Sequence, residues 1–249
     1  MPLLCPVTDM CVIYFAYDIH PDYPLILLAN RDEFYDRPSA SADHWEDHPD
    51  IFAGRDLVAG GTWMGITKGG RVAAVTNYRE PGARVGTRSR GELVAEFLKS
   101  DISAAEYMAR VEQRSDYYSG FNLLAGEINH DRHELYYFSN RAEGVRELNP
   151  GLYGLSNHLL DTPWPKVDNG KARLRDSLAH PFDKEFLFEV LADERLAEDD
   201  QLPDTGIGYE KEKALSAIFI RTPIYGTRCS NVLTFSKSLV PSLDERVAG

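Results

Sequence analysis

Cys11 follows a methionine, and it becomes the first residue of the chain once Met10 and whatever precedes it are removed. Its α-amine, with an ordinary pKa near ~8, is then partly neutral at pH 7 and can accept the proton of its own thiol. One hairpin later the chain reads Ala29-Asn30-Arg31-Asp32-Glu33. A guanidinium close to a thiol favours the thiolate. A carboxylate beside it can hold the α-amine by hydrogen bond and the arginine by salt bridge, so Arg31 and Asp32 are expected in those two tasks. Attack on a carbonyl also needs donors for the oxyanion, each worth roughly 2.7–4 kcal/mol. Asn77 at a strand end, Asn157 in Leu155-Ser156-Asn157 and Arg228 ahead of the closing strand are available.

The elements that must position these residues are legible from patterning. Residues 11–17 and 25–29 are β-rich runs around His20-Pro21-Asp22, which is turn chemistry: a hairpin. Residues 52–53, 63–67 and 71–76 read as further strands, the last two joined at Lys68-Gly69-Gly70. Ser89-Arg90-Gly91-Glu92 matches a capping box and is followed by Leu93, Val94, Phe97 and Leu98 at helical spacing; Ser103-Ala104-Ala105-Glu106 is a second, opening a helix to about Arg114. Strands return at 121–127, 134–138 and 152–155, helical patterns at 166–178, 183–191 and near 211–218, and a closing strand at 232–235. Residues 192–204 are acidic and polar, a solvated loop. Strands and helices in two batches each predict an α+β layer architecture, with no repeat or linker dividing the chain.

Bulk properties exclude several classes. The chain has 249 residues, 43% of them hydrophobic, enough for a substantial core. A net charge of −12 argues against nucleic acid as a partner. No apolar run approaches the ~18 residues of a transmembrane helix. The segment Met1–Asp9 has no basic residue and too short an apolar stretch for a signal peptide, which points to a cytoplasmic protein. Cys5, Cys11 and Cys229 are few and odd in number, as for reduced thiols, and no spacing suggests a structural metal site. His44 and His48 lie in a segment with little helical pattern, and His130 and His133 in a polar turn, so no metal is expected there.

Several motifs in order carry a resemblance over nearly the whole chain. They are Met10-Cys11-Val12-Ile13, Asn30-Arg31-Asp32-Glu33, Ala53-Gly54-Arg55-Asp56, Gly60-Gly61-Thr62-Trp63-Met64-Gly65 and Thr76-Asn77-Tyr78-Arg79-Glu80-Pro81. Ser89-Arg90-Gly91, Gly154-Leu155-Ser156-Asn157, Asp161-Thr162-Pro163-Trp164-Pro165-Lys166 and Tyr225-Gly226-Thr227-Arg228 complete the set. The sequence resembles the NRDE family, also called the transport and Golgi organisation two family. The resemblance implies a four-layer αββα fold of the N-terminal-nucleophile hydrolase type with two stacked antiparallel sheets, formed by residues 10–249 as a single domain. By that analogy Cys11 is nucleophile and base, Arg31 and Asp32 tune it, Asn77 and Asn157 form the oxyanion hole, and Arg228 stabilises negative charge. Family members begin at the Met-Cys pair, whereas nine residues precede Met10 here; residues 1–9 are expected to be a non-native or leader extension. Translation starting at Met10, cleavage of the leader, and a chain without the terminal amine are the three alternatives.

Arg79, Arg84, Arg88 and Arg90 lie within twelve residues that contain one acid, Glu80, and end on a helix N-terminus, which favours anions. Arg79 and Arg90, with Trp63 and Tyr78 as an apolar wall, are candidate ligand-binding residues. The plainer alternative is a solvated loop paired to the protein's many acids. Equally plain readings stand beside the others: a buried cysteine opening a strand, a salt bridge at a hairpin end, asparagines satisfying turns.

The expected activity is hydrolysis of an amide or thioester of a small carboxylic acid, which needs no cofactor. The alternative is a non-catalytic protein on the same fold. What the resemblance implies for it is haem binding and trafficking, or handling of acyl-CoA and lipid, with haem as a transported ligand held by a thiolate and arginines.

Overall fold

Strand alternation builds the molecule. In the segment Tyr23–Phe34, Leu25, Leu27 and Ala29 face one way and Ile26 and Leu28 the other, and both sets are buried. A strand apolar on both faces must be covered twice, once by a second sheet and once by helices. The computed structural model describes residues 10–248; the expectations placed on residues 1–9, Cys5 included, lie outside them.

In chain order the strands are β1 (Met10–His20), β2 (Tyr23–Phe34), β3 (Ser39–Trp45), β4 (His48–Asp56), β5 (Met64–Thr67), β6 (Arg71–Asn77), β7 (Phe121–Ile128), β8 (His133–Ser139), β9 (Arg146–Glu147), β10 (Gly151–Leu155), β11 (Tyr225–Phe235) and β12 (Pro241–Val247). The helices are α1 (Gly91–Lys99), α2 (Ala104–Gln113), α3 (Pro165–Leu178), α4 (Lys184–Leu191) and α5 (Tyr209–Ala214). Two antiparallel sheets result, one in the order β10-β1-β2-β11-β12, the other β3-β4-β5-β6-β7-β8-β9.

Ile13, Phe15, Leu25 and Leu27 of the first sheet pack against Met64, Ile66, Val72 and Leu124 of the second, forming the central core. The outer face of the second sheet is covered by α1 and α2 through Leu93, Phe97, Met108 and Val111. The outer face of the first is covered by α3 and α4 through Leu174, Leu187 and Leu191. The layers therefore run helix, sheet, sheet, helix, as the sequence motifs imply. No helix among the described residues is long and apolar enough to cross a membrane.

Local chemistry explains the element ends. Gly70 closes the β5–β6 turn at φ +90°, and a Cβ there would meet the Ile128 carbonyl oxygen at 2.4 Å, so glycine is required twice over. Ser103 caps α2, its hydroxyl accepting from Glu106 N–H at 3.2 Å. The other expected capping box does not form: α1 has Arg90 at its N-cap with no side-chain cap, and Ser89 offers only its carbonyl to Glu92 N–H. The helix expected at 211–218 is shorter and starts earlier, at Tyr209–Ala214; beyond its end the Leu215 and Ile218 carbonyls are taken by the Lys166 ammonium and the buried Asn30 amide. Strands β3, β9 and β12 lie at or beside sheet edges and carry polar sequences that strand patterning passes over.

Candidate active site

The first sheet brings the expected nucleophile and its arginine together by register. Cys11 of β1 pairs with Arg31 of β2, which pairs on its other side with Cys229 of β11. Residues opposite one another in a sheet project to the same face, so the row Cys11, Arg31, Cys229 forms the floor of a cavity of about 490 Å³. Trp63, Asn77, Arg90 and Arg228 also line it, and Asp32 reaches its edge. Arg79 and Asn157 are not among its lining residues.

Alternation also decides what Arg31 touches. Its guanidinium lies 3.5 Å from Glu33, two residues along and on the same face. The Arg31–Asp32 salt bridge expected from adjacency does not form, because Asp32 projects to the helix side. There Asp32 Oδ1 accepts the Thr227 hydroxyl at 2.6 Å, while Oδ2 is buried without a hydrogen-bond partner. Burial raises the Asp32 carboxyl above the ordinary carboxylate range; Lys166, the Thr227 hydroxyl and Arg31, in that order, pull it back down.

Arg228 is the extra residue of a β-bulge: Asp32 pairs with Thr227 and Arg31 with Cys229, leaving Arg228 unmatched. Bulges re-aim side chains, and this one aims a guanidinium at the cavity. Arg228 donates to the Phe34 and Arg37 carbonyls at 2.8 and 3.1 Å. Among the described residues no carboxylate forms an ion pair with it. Arg37, Arg55 and Arg88 join Arg31, Arg90 and Arg228 around the cavity, against Asp32, Glu33, Asp56 and Glu245. The lining is thus richer in arginine than in acid, within a chain of net charge −12.

The two asparagines divide between cavity and scaffold. Asn77 ends β6 at the cavity wall. Asn157 is fully buried; its amide donates to the Asn77 carbonyl at 3.1 Å and its Oδ1 accepts from the Ser156 hydroxyl. It braces Asn77 rather than facing the cavity. Arg79, expected at a ligand, is likewise committed to the interior. It ion-pairs with Glu212 at 2.5 Å, both side chains being 4% exposed, and stacks on Trp164 at 4.7 Å. Arg90 donates to the Gly120 carbonyl at 3.2 Å from the cavity rim.

Cys229 shares the floor, but burial pushes its thiol up to about 12. Glu33, Arg37, Asp56 and Lys166 escaped the residue-by-residue reading. For Lys166 a signal existed: it falls four and eight residues before Gly170 and Leu174 on the buried stripe of α3, a cation in an apolar row. Among the described residues no group of three or more His, Cys, Asp or Glu side chains is placed to hold a metal ion.

With this geometry in place, comparison with known proteins gives a consistent result. A family model described as Transport and Golgi organisation 2 matches residues 10–247. The Mus musculus Transport and Golgi organization 2 homolog is 39% identical over 242 residues, covering 90% of this chain and 88% of that protein. The Homo sapiens Transport and Golgi organization protein 2 homolog is 40% identical over 242 residues with the same coverage. Among solved structures, a Caenorhabditis elegans N-acylethanolamine-hydrolyzing acid amidase ortholog aligns with a TM-score of 0.53 at 14% identity, covering 90% of this chain and 92% of that one. That likeness shows a shared N-terminal-nucleophile hydrolase fold.

Proposed function

From the premise that this chain belongs to the transport and Golgi organisation 2 family, we propose that it is a cysteine hydrolase of the N-terminal-nucleophile type. Its substrate is an amide or thioester of a small acyl compound carrying negative charge. The observation that carries this reading is the row Cys11–Arg31 on the floor of a cavity ringed by arginines. Asp32 at the edge, with one buried oxygen unpartnered, supplies an acceptor where the strand begins.

In a chain beginning at Cys11, the neutral α-amine takes the thiol proton and the sulfur lone pair attacks the carbonyl carbon. The carbonyl π electrons move to oxygen, where the Asn77 amide donates. Arg31 and Arg228 supply positive charge around the intermediate and the substrate's anionic group. Collapse expels the amine or thiolate, which takes the proton held on the α-ammonium and leaves a thioester on Cys11. Water then attacks this thioester, giving its proton to the α-amine, and the free acid departs as the thiol is restored.

A second reading, ligand binding without turnover, has its own support. Six arginines against four acids line the cavity, a surround that holds an anionic ligand whether or not Cys11 carries a free α-amine. On that reading the cavity holds haem or an acyl-CoA or lipid through the same arginines.

The test is intact mass and N-terminal sequencing of protein expressed from its native start, followed by labelling with an acyl thioester probe. A chain starting at Cys11 that is acylated, with loss of acylation in Cys11→Ser, supports hydrolysis. Acylation unchanged in Cys11→Ser overturns the nucleophile. A chain retaining Met10 that binds haem or acyl-CoA without turnover establishes the second reading.

A further inference from the structure

The expected nucleophile and its oxyanion donor stand on different sheets: Cys11 belongs to β1, and Asn77 ends β6. Stacked sheets are separated by a side-chain core about 10 Å thick. Apolar packing is non-directional, so it holds two reacting groups only loosely in register. A misplacement of about 1 Å can slow a reaction about a hundredfold. The spacing between the two strands therefore needs directional contacts, and the chain supplies them at one place.

Leu155, the last residue of β10, pairs with Ile13 of β1, and residues 156–158 then leave the first sheet. Three consecutive carbonyls of this crossing are taken by donors of the second sheet and the turn after β6. Thr76 gives its hydroxyl to the Ser156 carbonyl at 2.9 Å, and Arg79 its backbone N–H to the Asn157 carbonyl at 2.7 Å. Asn122 gives its amide to the His158 carbonyl at 3.0 Å and is itself held, its Oδ1 accepting the Tyr137 hydroxyl at 2.8 Å. The side chains of the crossing reach both strands. The Asn157 amide donates to the Asn77 carbonyl at 3.1 Å. The Ser156 hydroxyl lies 3.4 Å from the Cys11 carbonyl and 3.1 Å from Asn157 Oδ1. A hydroxyl has one proton, so Ser156 shares it between the carbonyl of the nucleophile and the side chain that braces the oxyanion donor. Ser156, Asn157, Thr76 and Asn122 are at most 2% exposed. A change of spacing would strip several buried polar groups of their partners at once, which makes the crossing stiff.

We propose that Ser156 is a positioning residue of this site. Seated on a crossing that the second sheet holds by three carbonyls, its hydroxyl fixes the Cys11 carbonyl and thereby the distance from the Cys11 sulfur to the Asn77 donor. This rests on the reading of Cys11 as nucleophile and Asn77 as oxyanion donor. Neither Ser156 nor Thr76 is among the lining residues of the cavity, so both act through Cys11 and Asn77 rather than on the substrate.

Two reactions of Cys11 separate placement from nucleophilicity. In alkylation by iodoacetamide the sulfur displaces iodide and no oxyanion forms. Acylation by an acyl thioester builds an oxyanion and needs the Asn77 amide in place. Both rates are followed by intact mass in protein whose first residue is Cys11, for wild type, Ser156→Ala and Thr76→Val. Ser156→Ala is expected to slow acylation about tenfold to a hundredfold, with the alkylation rate and its pH midpoint unchanged. Thr76→Val keeps the shape of the side chain and removes the hydroxyl that holds the Ser156 carbonyl, so the same split is expected.

Unchanged acylation in folded Ser156→Ala overturns the proposal, as it does in Thr76→Val where Ser156→Ala does not fold. Acylation and alkylation falling in parallel overturn it too, since the thiol itself, and not its distance to Asn77, has then changed. Wild-type protein that is alkylated at Cys11 but never acylated sinks the hydrolase reading, and the positioning role falls with it.

Discussion

Replacing Arg79 by methionine separates a structural role from a ligand-binding one. The guanidinium and the Glu212 carboxylate are each 4% exposed and lie 2.5 Å apart. Removing one partner leaves the other buried and uncompensated, which costs about 3–5 kcal/mol. In Arg79→Met, Glu212 keeps its two hydrogen bonds from Thr205, and the loss is about 4 kcal/mol including the stack on Trp164. In Glu212→Met the guanidinium is orphaned and so are the two Thr205 donors, each worth about 1–3 kcal/mol, so the loss exceeds about 5 kcal/mol. The double variant removes both charges and loses only the Thr205 bonds and the stack, about 2–3 kcal/mol. Urea unfolding followed by far-UV circular dichroism measures all three, and the double-mutant cycle isolates the pair. A double variant as costly as the sum of the singles, or single losses under about 1 kcal/mol, refutes the reasoning. An Arg79→Met protein of wild-type stability that has lost anion binding would return Arg79 to the ligand.

Three further outcomes follow from the packing and the charges. In Gly170→Ala the new Cβ would lie 2.1–2.6 Å from carbons of the buried Tyr14 ring, so the variant should lose about 2–3 kcal/mol; a gain in melting temperature, as helix propensity alone dictates, would contradict the packing. His158 is held below its ordinary pKa by burial and then by Arg79, so its contribution is present above about pH 6.5 and is lost as pH falls through the folded-state value. His158→Gln should therefore lose less stability than wild type between pH 7.5 and 5 in urea titrations, and Arg79→Met should move the His158 NMR titration upward. Cys229 should resist iodoacetamide at pH 7.5 in the folded protein, because burial pushes its thiol up to about 12; rapid labelling of Cys229 in a peptide map would argue against the floor as drawn.

The long strands and the amphipathic helices were legible because their apolar residues repeat at 2.0 or 3.6 residues: 71–76, 121–127 and 183–191 fall on β6, β7 and α4 within a residue or two. Strands β3 and β12 were not, since Ser39–Trp45 and Pro241–Val247 are paired by backbone hydrogen bonds that any sequence can make. The site was read by residue type, and type alone cannot tell which face of a strand a side chain takes. Arg31 and Asp32 are adjacent in sequence and on opposite faces in space, so one went to Glu33 and the other toward Lys166. Arg79 and Asn157 lie off the cavity lining for a related reason. Both have the chemistry of a ligand contact, and both are consumed by partners distant in sequence, Glu212 and Asn77.

The join between β2 and β11 sets an order on how the protein comes into being. Thr227 and Asp32 are 195 residues apart in the chain, yet their strands are neighbours in the middle of the first sheet. During synthesis the ribosome releases Cys11, Arg31 and Asp32 early, while the strand carrying Thr227 and Arg228 follows 195 residues after Asp32. Until then β2 offers an open edge of unpaired N–H and C=O groups, the kind that recruits other strands and slows folding. The half-made site has neither its floor closed nor its bulge formed. The most exposed hazard of a nascent chain is therefore aggregation along the very strand that will later anchor the site.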